Sequence, residues 1–272
     1  MHTKAVMPVY TDQLNRTVTL PATPKRIISL VPSQTELLYD LELKEQVVGI
    51  TKFCIHPKEW FRTKTRIGGT KTLHLDKIRE LHPDLIIANK EENVQEQIEA
   101  LAKEFPVWIS DVNNLPEALE MIEQIGLITN KKERAEDLSK RIESAFFNFK
   151  PQTSNLKLNT CYLIWKDPYM TVGGDTFIHN ILSLAGLENI YGSKQRYPEI
   201  TIAELQTLNC DLLLLSSEPY PFKQKHIEEL QAQLPHTKIL LVDGEAFSWY
   251  GSRLLHTPAH LQQLQEEIAS LI

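Results

Sequence analysis

The sequence predicts an α/β protein of two lobes with parallel sheets, joined by a long rigid helix and leaving a ligand cleft between the lobes. Three observations lead there. The run from Leu75 to Ala88 and the run from Ile202 to Leu215 read alike: a short helical period, then Asp84-Leu85 in one and Asp211-Leu212 in the other. The apolar residues that follow are too few for a helix and too continuous for a half-wet strand, so each run reads as a helix feeding a buried parallel strand. Between the two runs, a zone from Pro116 to Phe149 keeps helical spacing with little loop signal. Lobe interfaces are where small molecules bind.

The elements can be justified in order. An extended lead over Asn15–Leu20 is broken by Pro21 and Pro24, after which Arg26–Val31 reads as the first buried strand. Pro32 ends it, and Ser33 and Glu36 stand in capping-box spacing before the apolar Leu37, Leu38 and Leu41. The amide-rich start of that helix faces the strand ends, where open α/β sheets place ligands. Val47–Ile50 reads as a strand, Leu75–Leu81 as a helix, Leu85–Ala88 as a strand, Val94–Phe105 as a helix and Val107–Ile109 as a strand. The helical zone is interrupted near Gly126–Asn130 and resumes from Lys131. The second half follows with a strand over Leu158–Trp165, a turn-rich loop over Lys166–Gly174, a helix over Thr176–Ala185 ended by Gly186, strands over Leu212–Leu215 and Ile239–Val242, and a last helix from Pro258. This divides the chain into an N-terminal α/β lobe (1–125), an inter-lobe backbone helix (126–150) and a C-terminal α/β lobe (151–272). A stiff spine of that kind restricts opening between lobes.

Composition narrows the function classes. The 272 residues are 42% hydrophobic and 24% charged, the balance of a folded globular chain. With 29 Lys plus Arg against 35 Asp plus Glu, the net charge of -6 gives no footprint for nucleic acid or anionic lipid. Cys54, Cys161 and Cys210 are far apart, and the last two lie in apolar runs, so no disulfide framework is expected. Met1–Val9 lacks the apolar core of a secretory signal, and no stretch approaches the length of a membrane span. From this alone the compartment is either the cytoplasm or one reached through a removed signal.

The order and spacing of Arg26–Leu37, Val47–Ile50, Pro83–Ile87 and Gly173-Gly174 carry a resemblance over nearly the whole chain. The chain resembles the helical-backbone substrate-binding proteins of ABC importers for metal chelates, closest to their cobalamin-binding branch. The resemblance implies two Rossmann-like α/β lobes, a rigid inter-lobe helix, one chelate captured in the cleft and delivery to a membrane permease. It implies a periplasmic or membrane-associated protein, a monomer, with no catalysis, no resident cofactor, no metal of its own and no nucleic-acid partner. In that branch aromatic faces hold the corrin, and Phe53, Tyr169, Tyr197, Phe247, Trp249 and Tyr250 stand in the corresponding loops. Where the branch tends to carry Trp, this chain has Thr70 and Asn89. The expected lining is therefore Pro32, Ser33, Phe53, Thr70, Asn89, Tyr169, Met170, Tyr197, Glu245, Phe247, Trp249 and Arg253. Permease docking through one acid per lobe falls on Asp76 and on Glu204, displaced by one residue, with Glu199 as a second candidate.

Plainer readings compete at several of these positions. Asp243–Arg253 is either a binding loop or an Asp-Gly turn with aromatics packed beneath it and Arg253 salt-bridged to a lobe. Cys54 and His56 form a weak metal-ligand pair and fit better as structural residues. Gly173-Gly174-Asp175 lacks the lysine of a phosphate loop and fits a tight strand-to-helix turn. Thr201 and Glu204 have capping-box spacing, which is compatible with docking. Cobalamin or another corrinoid is the first ligand. A ferric siderophore or haem held by Arg253, Lys90 and Lys166 is the second. A cytoplasmic corrinoid- or tetrapyrrole-handling enzyme or sensor is the rival from another class.

Overall fold

The computed structural model describes residues 8–151 and 158–271. Of the amino-terminal segment read above for a signal, Met1–Met7 lie outside the described residues. The chain divides into two compact units. Among the described residues, the first comprises 8–112, 116–142 and 250–253, and the second comprises 113–115, 143–151, 158–249 and 254–271.

The first unit opens with a hairpin of β1 (Val9–Thr11) and β2 (Thr17–Thr19), followed by β3 (Ile27–Ser29), α1 (Pro32–Asp40), β4 (Val47–Ile50), α2 (Lys58–Thr63), β5 (Thr65–Arg66), α3 (Leu75–Glu80), β6 (Leu85–Asn89), α4 (Gln95–Ala102) and β7 (Val107–Ser110). Its sheet has the order β5-β4-β3-β6-β7 and is parallel throughout. Every residue of β3 and β6 is buried, the signature of a sheet covered on both faces. The lead segment covers the outer edge of β7: Gln13 N–H donates to Ile109 O, and the Arg16 guanidinium donates to Val107 O while paired with the buried Asp12.

The helical zone is two helices, α5 (Leu115–Ile128) and α6 (Lys132–Asn148). The break lies at Thr129–Lys131, where Asn130 takes φ 58° and Lys131 N–H closes on Gly126 O, a left-handed helix stop. Gly126 is therefore inside α5. A Cβ there would lie 2.2 Å from Cβ of Ala135, so glycine lets the two helices approach. The division between units falls inside α6, after Ile142.

The second unit contains β8 (Asn159–Leu163), β9 (Tyr169–Met170), α7 (Phe177–Leu184), β10 (Glu188–Asn189), β11 (Glu199–Ile200), α8 (Ile202–Thr207), β12 (Leu212–Ser216), α9 (Gln224–Gln231), β13 (Lys238–Val242), α10 (Gly244–Ser248) and α11 (Thr257–Leu271). Its parallel sheet has the order β10-β8-β12-β13.

The duplication seen in the sequence is physical. α3 feeds β6, α8 feeds β12, and each strand lies between two parallel neighbours. The turns match residue for residue: His82 and Asn209 both take positive φ, 43° and 50°. The Asp that follows ties down the start of the neighbouring strand in both units. Asp84 carboxylate oxygens accept from Lys25 N–H and Arg26 N–H, and Asp211 Oδ2 accepts from Asn159 N–H. One correction falls at α1. The expected capping box does not form; Val31 is the N-cap without a side-chain bond, Pro32 occupies the first turn, and Glu36 is held elsewhere.

Candidate functional site

In each unit the parallel strands point their carboxyl ends to one edge, and Pro32, Ser33, Phe53 and Thr70 in the first unit and Glu245, Phe247 and Trp249 in the second follow such strand ends. In the first unit, Pro32 and Ser33 open α1, with Ser33 buried. Gly251 lies directly over them, since a Cβ there would meet Ser33 O at 2.6 Å. Phe53 is the open apolar feature, 51% exposed, with the Lys52 ammonium 5.0 Å from its ring centre. Thr70 is half-buried at the tip of the Gly69–Thr72 turn.

Asn89 cannot serve a ligand from where it stands. Its Nδ2 donates to Ser110 O and Oγ, its Oδ1 accepts from Glu91 and Glu92 N–H, and the residue is 2% exposed. That amide shapes the loop after β6 instead. Arg253 is likewise engaged: Nε and Nη2 donate to the two oxygens of Glu36 at 2.9 and 2.6 Å, a bidentate pair. Burial pushes the Glu36 carboxyl above its ordinary range, outweighing the guanidinium beside it. Tyr250 hydroxyl donates to Glu92 Oε1 at 3.3 Å, and burial raises the phenol.

In the second unit, Trp165 follows β8, is 41% exposed, and meets Tyr220 edge-on at 5.8 Å. Tyr220 in turn packs against Phe222 and His226. Tyr169 and Met170 form β9, paired with Glu199–Ile200, and both are half-buried, as is Tyr197. Lys166 Nζ donates to Glu229 at 2.5 Å. The Asp243–Trp249 stretch is a short capped helix: Asp243 Oδ1 accepts from Glu245 N–H, and Glu245 is half-buried. Phe247 is corrected to a core residue, fully buried against Tyr162. Trp249 is 5% exposed, its indole N–H donating to Glu218 Oε1 at 2.8 Å. Burial raises the Glu218 carboxyl.

The docking candidates differ in freedom. The Asp76 side chain is 93% exposed and accepts from Arg79, whereas Glu204 is drawn back into a complete capping box with Thr201. Glu199 is exposed on β11. Gly173 and Gly174 lie against the backbone of Lys194 and Gly192, the close approach of a tight turn. Cys54 is buried between Thr35 and Thr51 and its thiol is pushed up to about 11 by desolvation, so the plain reading of Cys54 holds.

A family model described as periplasmic binding protein matches residues 27–236. The chain belongs to that family. Among relatives of this periplasmic binding protein, an uncharacterized ABC transporter substrate-binding lipoprotein, YvrC of Bacillus subtilis, is 26% identical over 97% of this chain and 86% of the relative. The solved periplasmic vitamin B12-binding protein of Vibrio cholerae superposes with TM-score 0.73 at 19% identity, covering 91% of this chain and 98% of that one. The periplasmic heme-binding protein HutB of the same organism gives TM-score 0.74 at 19% identity, covering 89% and 98%. The resemblance to metal-chelate binding proteins read from the strand and turn motifs is thus borne out. Among the described residues, no helix of this periplasmic binding protein is long and apolar enough to cross a membrane, and no group of His, Cys, Asp or Glu has metal-binding geometry. Sequence reasoning missed the places of Glu36, Trp165 and Glu218 among these residues. Only Trp165 carried a local signal, an aromatic at the end of an apolar run.

Proposed function

We propose that the protein is the substrate-binding component of an ABC importer, capturing a metal chelate, cobalamin or another corrinoid first, and delivering it to a permease. The observation that carries this is the family match over 27–236 on a chain whose two parallel sheets each end in connections bearing exposed aromatic faces, Phe53 in one and Trp165 in the other. Flat rings suit a flat macrocycle, because stacking gives area at low entropy cost.

Charge supports the corrinoid within that class. Three cations expected to hold an anionic chelate, Arg253, Lys90 and Lys166, are each paired with a carboxylate: Glu36, Asp111 and Glu229. An anion would have to compete with those partners, whereas an uncharged cyanocorrinoid would not. Haem or a ferric siderophore is the second reading, favoured by the exposed Lys52 above Phe53. A cytoplasmic enzyme or sensor draws no support from Cys54, whose buried thiol is a poor nucleophile. We place the protein outside the cytoplasmic membrane, in the periplasm or tethered to the membrane, as a monomer docking its permease through Asp76 and Glu204.

Calorimetric titration with cyanocobalamin, haem and a ferric siderophore tests the reading. One-to-one binding of the corrinoid is expected; a response to haem alone selects the second reading, and silence with all three refutes both.

A further inference from the structure

The turn after β5 is fastened in a way that its own folding does not require. Gly69 and Thr72 bond each other's backbones, which closes the turn. Beyond that, the segment from Glu91 to Gln97 supplies partners for one backbone group after another. Asn93 Nδ2 donates to Thr70 O at 3.1 Å, Gln97 Nε2 donates to Lys71 O at 3.0 Å, and Gln97 Oε1 accepts from Leu73 N–H at 2.8 Å. Lys71 Nζ closes the other way on Glu91 O at 2.6 Å. Lys71 is exposed and Gln97 half-exposed, so water could satisfy Lys71 without ordering two long side chains, whereas Leu73 is buried and its N–H depends on Gln97. Asn93 is itself fixed, 6% exposed, with Oδ1 accepting from Asn89 N–H and Nδ2 also near Leu30 O. Two strand ends, those of β3 and β6, and one turn are thereby joined through a single amide.

We propose that Asn93 and Gln97 are positioning residues for ligand capture: they hold the Gly69–Leu73 turn so that Thr70 is presented in one pose before the ligand arrives. The inference rests on the function proposed above. Preorganisation makes a specific kinetic signature. If the turn is released, only a fraction of molecules is competent at a given moment, and the apparent dissociation constant rises by the inverse of that fraction. The loss falls on association, whereas losing a direct ligand contact falls on dissociation.

Gln97→Met removes both polar groups at similar volume on a half-exposed position, and Gln97→Glu keeps the acceptor for Leu73 N–H. Stopped-flow binding of cyanocobalamin, or of whichever of haem and ferric siderophore the wild type binds, should show about 5–10-fold slower association for Gln97→Met, an unchanged dissociation rate, and partial recovery for Gln97→Glu. Hydrogen exchange on the ligand-free protein gives a second readout, with Leu73 N–H protected in the wild type and released in Gln97→Met. Faster dissociation with unchanged association overturns the positioning role. So do unchanged rates beside a released Leu73 amide. An unprotected Leu73 in the wild type overturns the pinning itself. A wild type silent toward all three probes, with Leu73 protected, overturns the proposed function and the capture role while the pinning stands.

Discussion

Replacing Arg253 by Ala should destabilise the first unit through Glu36, and the effect should fade in acid. The guanidinium meets the carboxylate at 2.9 and 2.6 Å, with the two side chains 21% and 19% exposed. A surface pair would contribute about 0–1 kcal/mol, and stripping one partner from a buried pair costs about 3–5 kcal/mol. At one-fifth exposure solvent screens part of the orphaned charge, so about 2–3 kcal/mol is expected at pH 7. The pH dependence follows from the direction of the Glu36 shift. Its folded pKa is already raised by burial, and removing Arg253 removes the main charge that opposes the rise. A carboxyl raised on folding binds its proton more tightly in the folded state, so the stability it contributes is present below the unfolded value and lost as pH rises through the folded one. The deficit of R253A should therefore shrink from pH 7 toward pH 5. Urea unfolding in a W165F/W249F background reads the first unit alone, through Trp60 and Trp108, both fully buried there. Adding Glu36→Gln should return part of the loss, because the uncompensated charge disappears. A deficit below about 0.5 kcal/mol, or one that grows on acidification, would refute the argument.

The other expectations concern packing, thiols and docking. Gly126→Val forces a Cβ to 2.2 Å from Ala135, and should cost about 2–3 kcal/mol in the same urea assay, with Ala135→Gly returning part of it. Cys54, Cys161 and Cys210 are buried, with the thiols of Cys54 and Cys210 pushed up to about 11 and about 12, so iodoacetamide at pH 8 should leave all three unlabelled until urea unfolds the chain; labelling of native Cys54 would contradict its placement. Asp76→Asn with Glu204→Gln removes the charges of both residues proposed to dock the permease, and the amide introduced by the second change can still complete the capping box with Thr201. Ligand affinity and stability should therefore hold while permease association weakens; a fall in ligand affinity would return those acids to the site.

The parts of the fold legible in the sequence are those set by local pattern. The helix-to-strand repeats could be read because an apolar run bounded by Asp and a turn has one stable use, and the matching roles of Asp84 and Asp211 show the same physics operating twice. α2 was not legible: Lys58–Thr63 offers one buried side chain, Trp60, which packs edge-on to Tyr39 from another helix. The Ser33–Glu36 capping box failed for a related reason. Its spacing was right, but Glu36 had a better partner 217 residues away, and no local signal reports an ion pair of that separation.

The same distance explains why the site was only half legible. Residue type fixes what a side chain can offer a ligand, but its neighbours decide what is left to offer. Asn89 looks like a polar lining group until both ends of its amide are consumed by Ser110, Glu91 and Glu92. Arg253, Lys90 and Lys166 look like an anion site until Glu36, Asp111 and Glu229 are in place. Trp249 loses its indole N–H to Glu218, while Phe53 and Trp165 stay about half exposed. Subtracting the satisfied groups therefore leaves an aromatic face in each unit, with Arg253, Lys90 and Lys166 already paired and Lys52 an exposed cation beside Phe53. Such faces bind area better than charge, and this subtraction, invisible in a residue list, is the reason for proposing an uncharged planar chelate ahead of an anionic one.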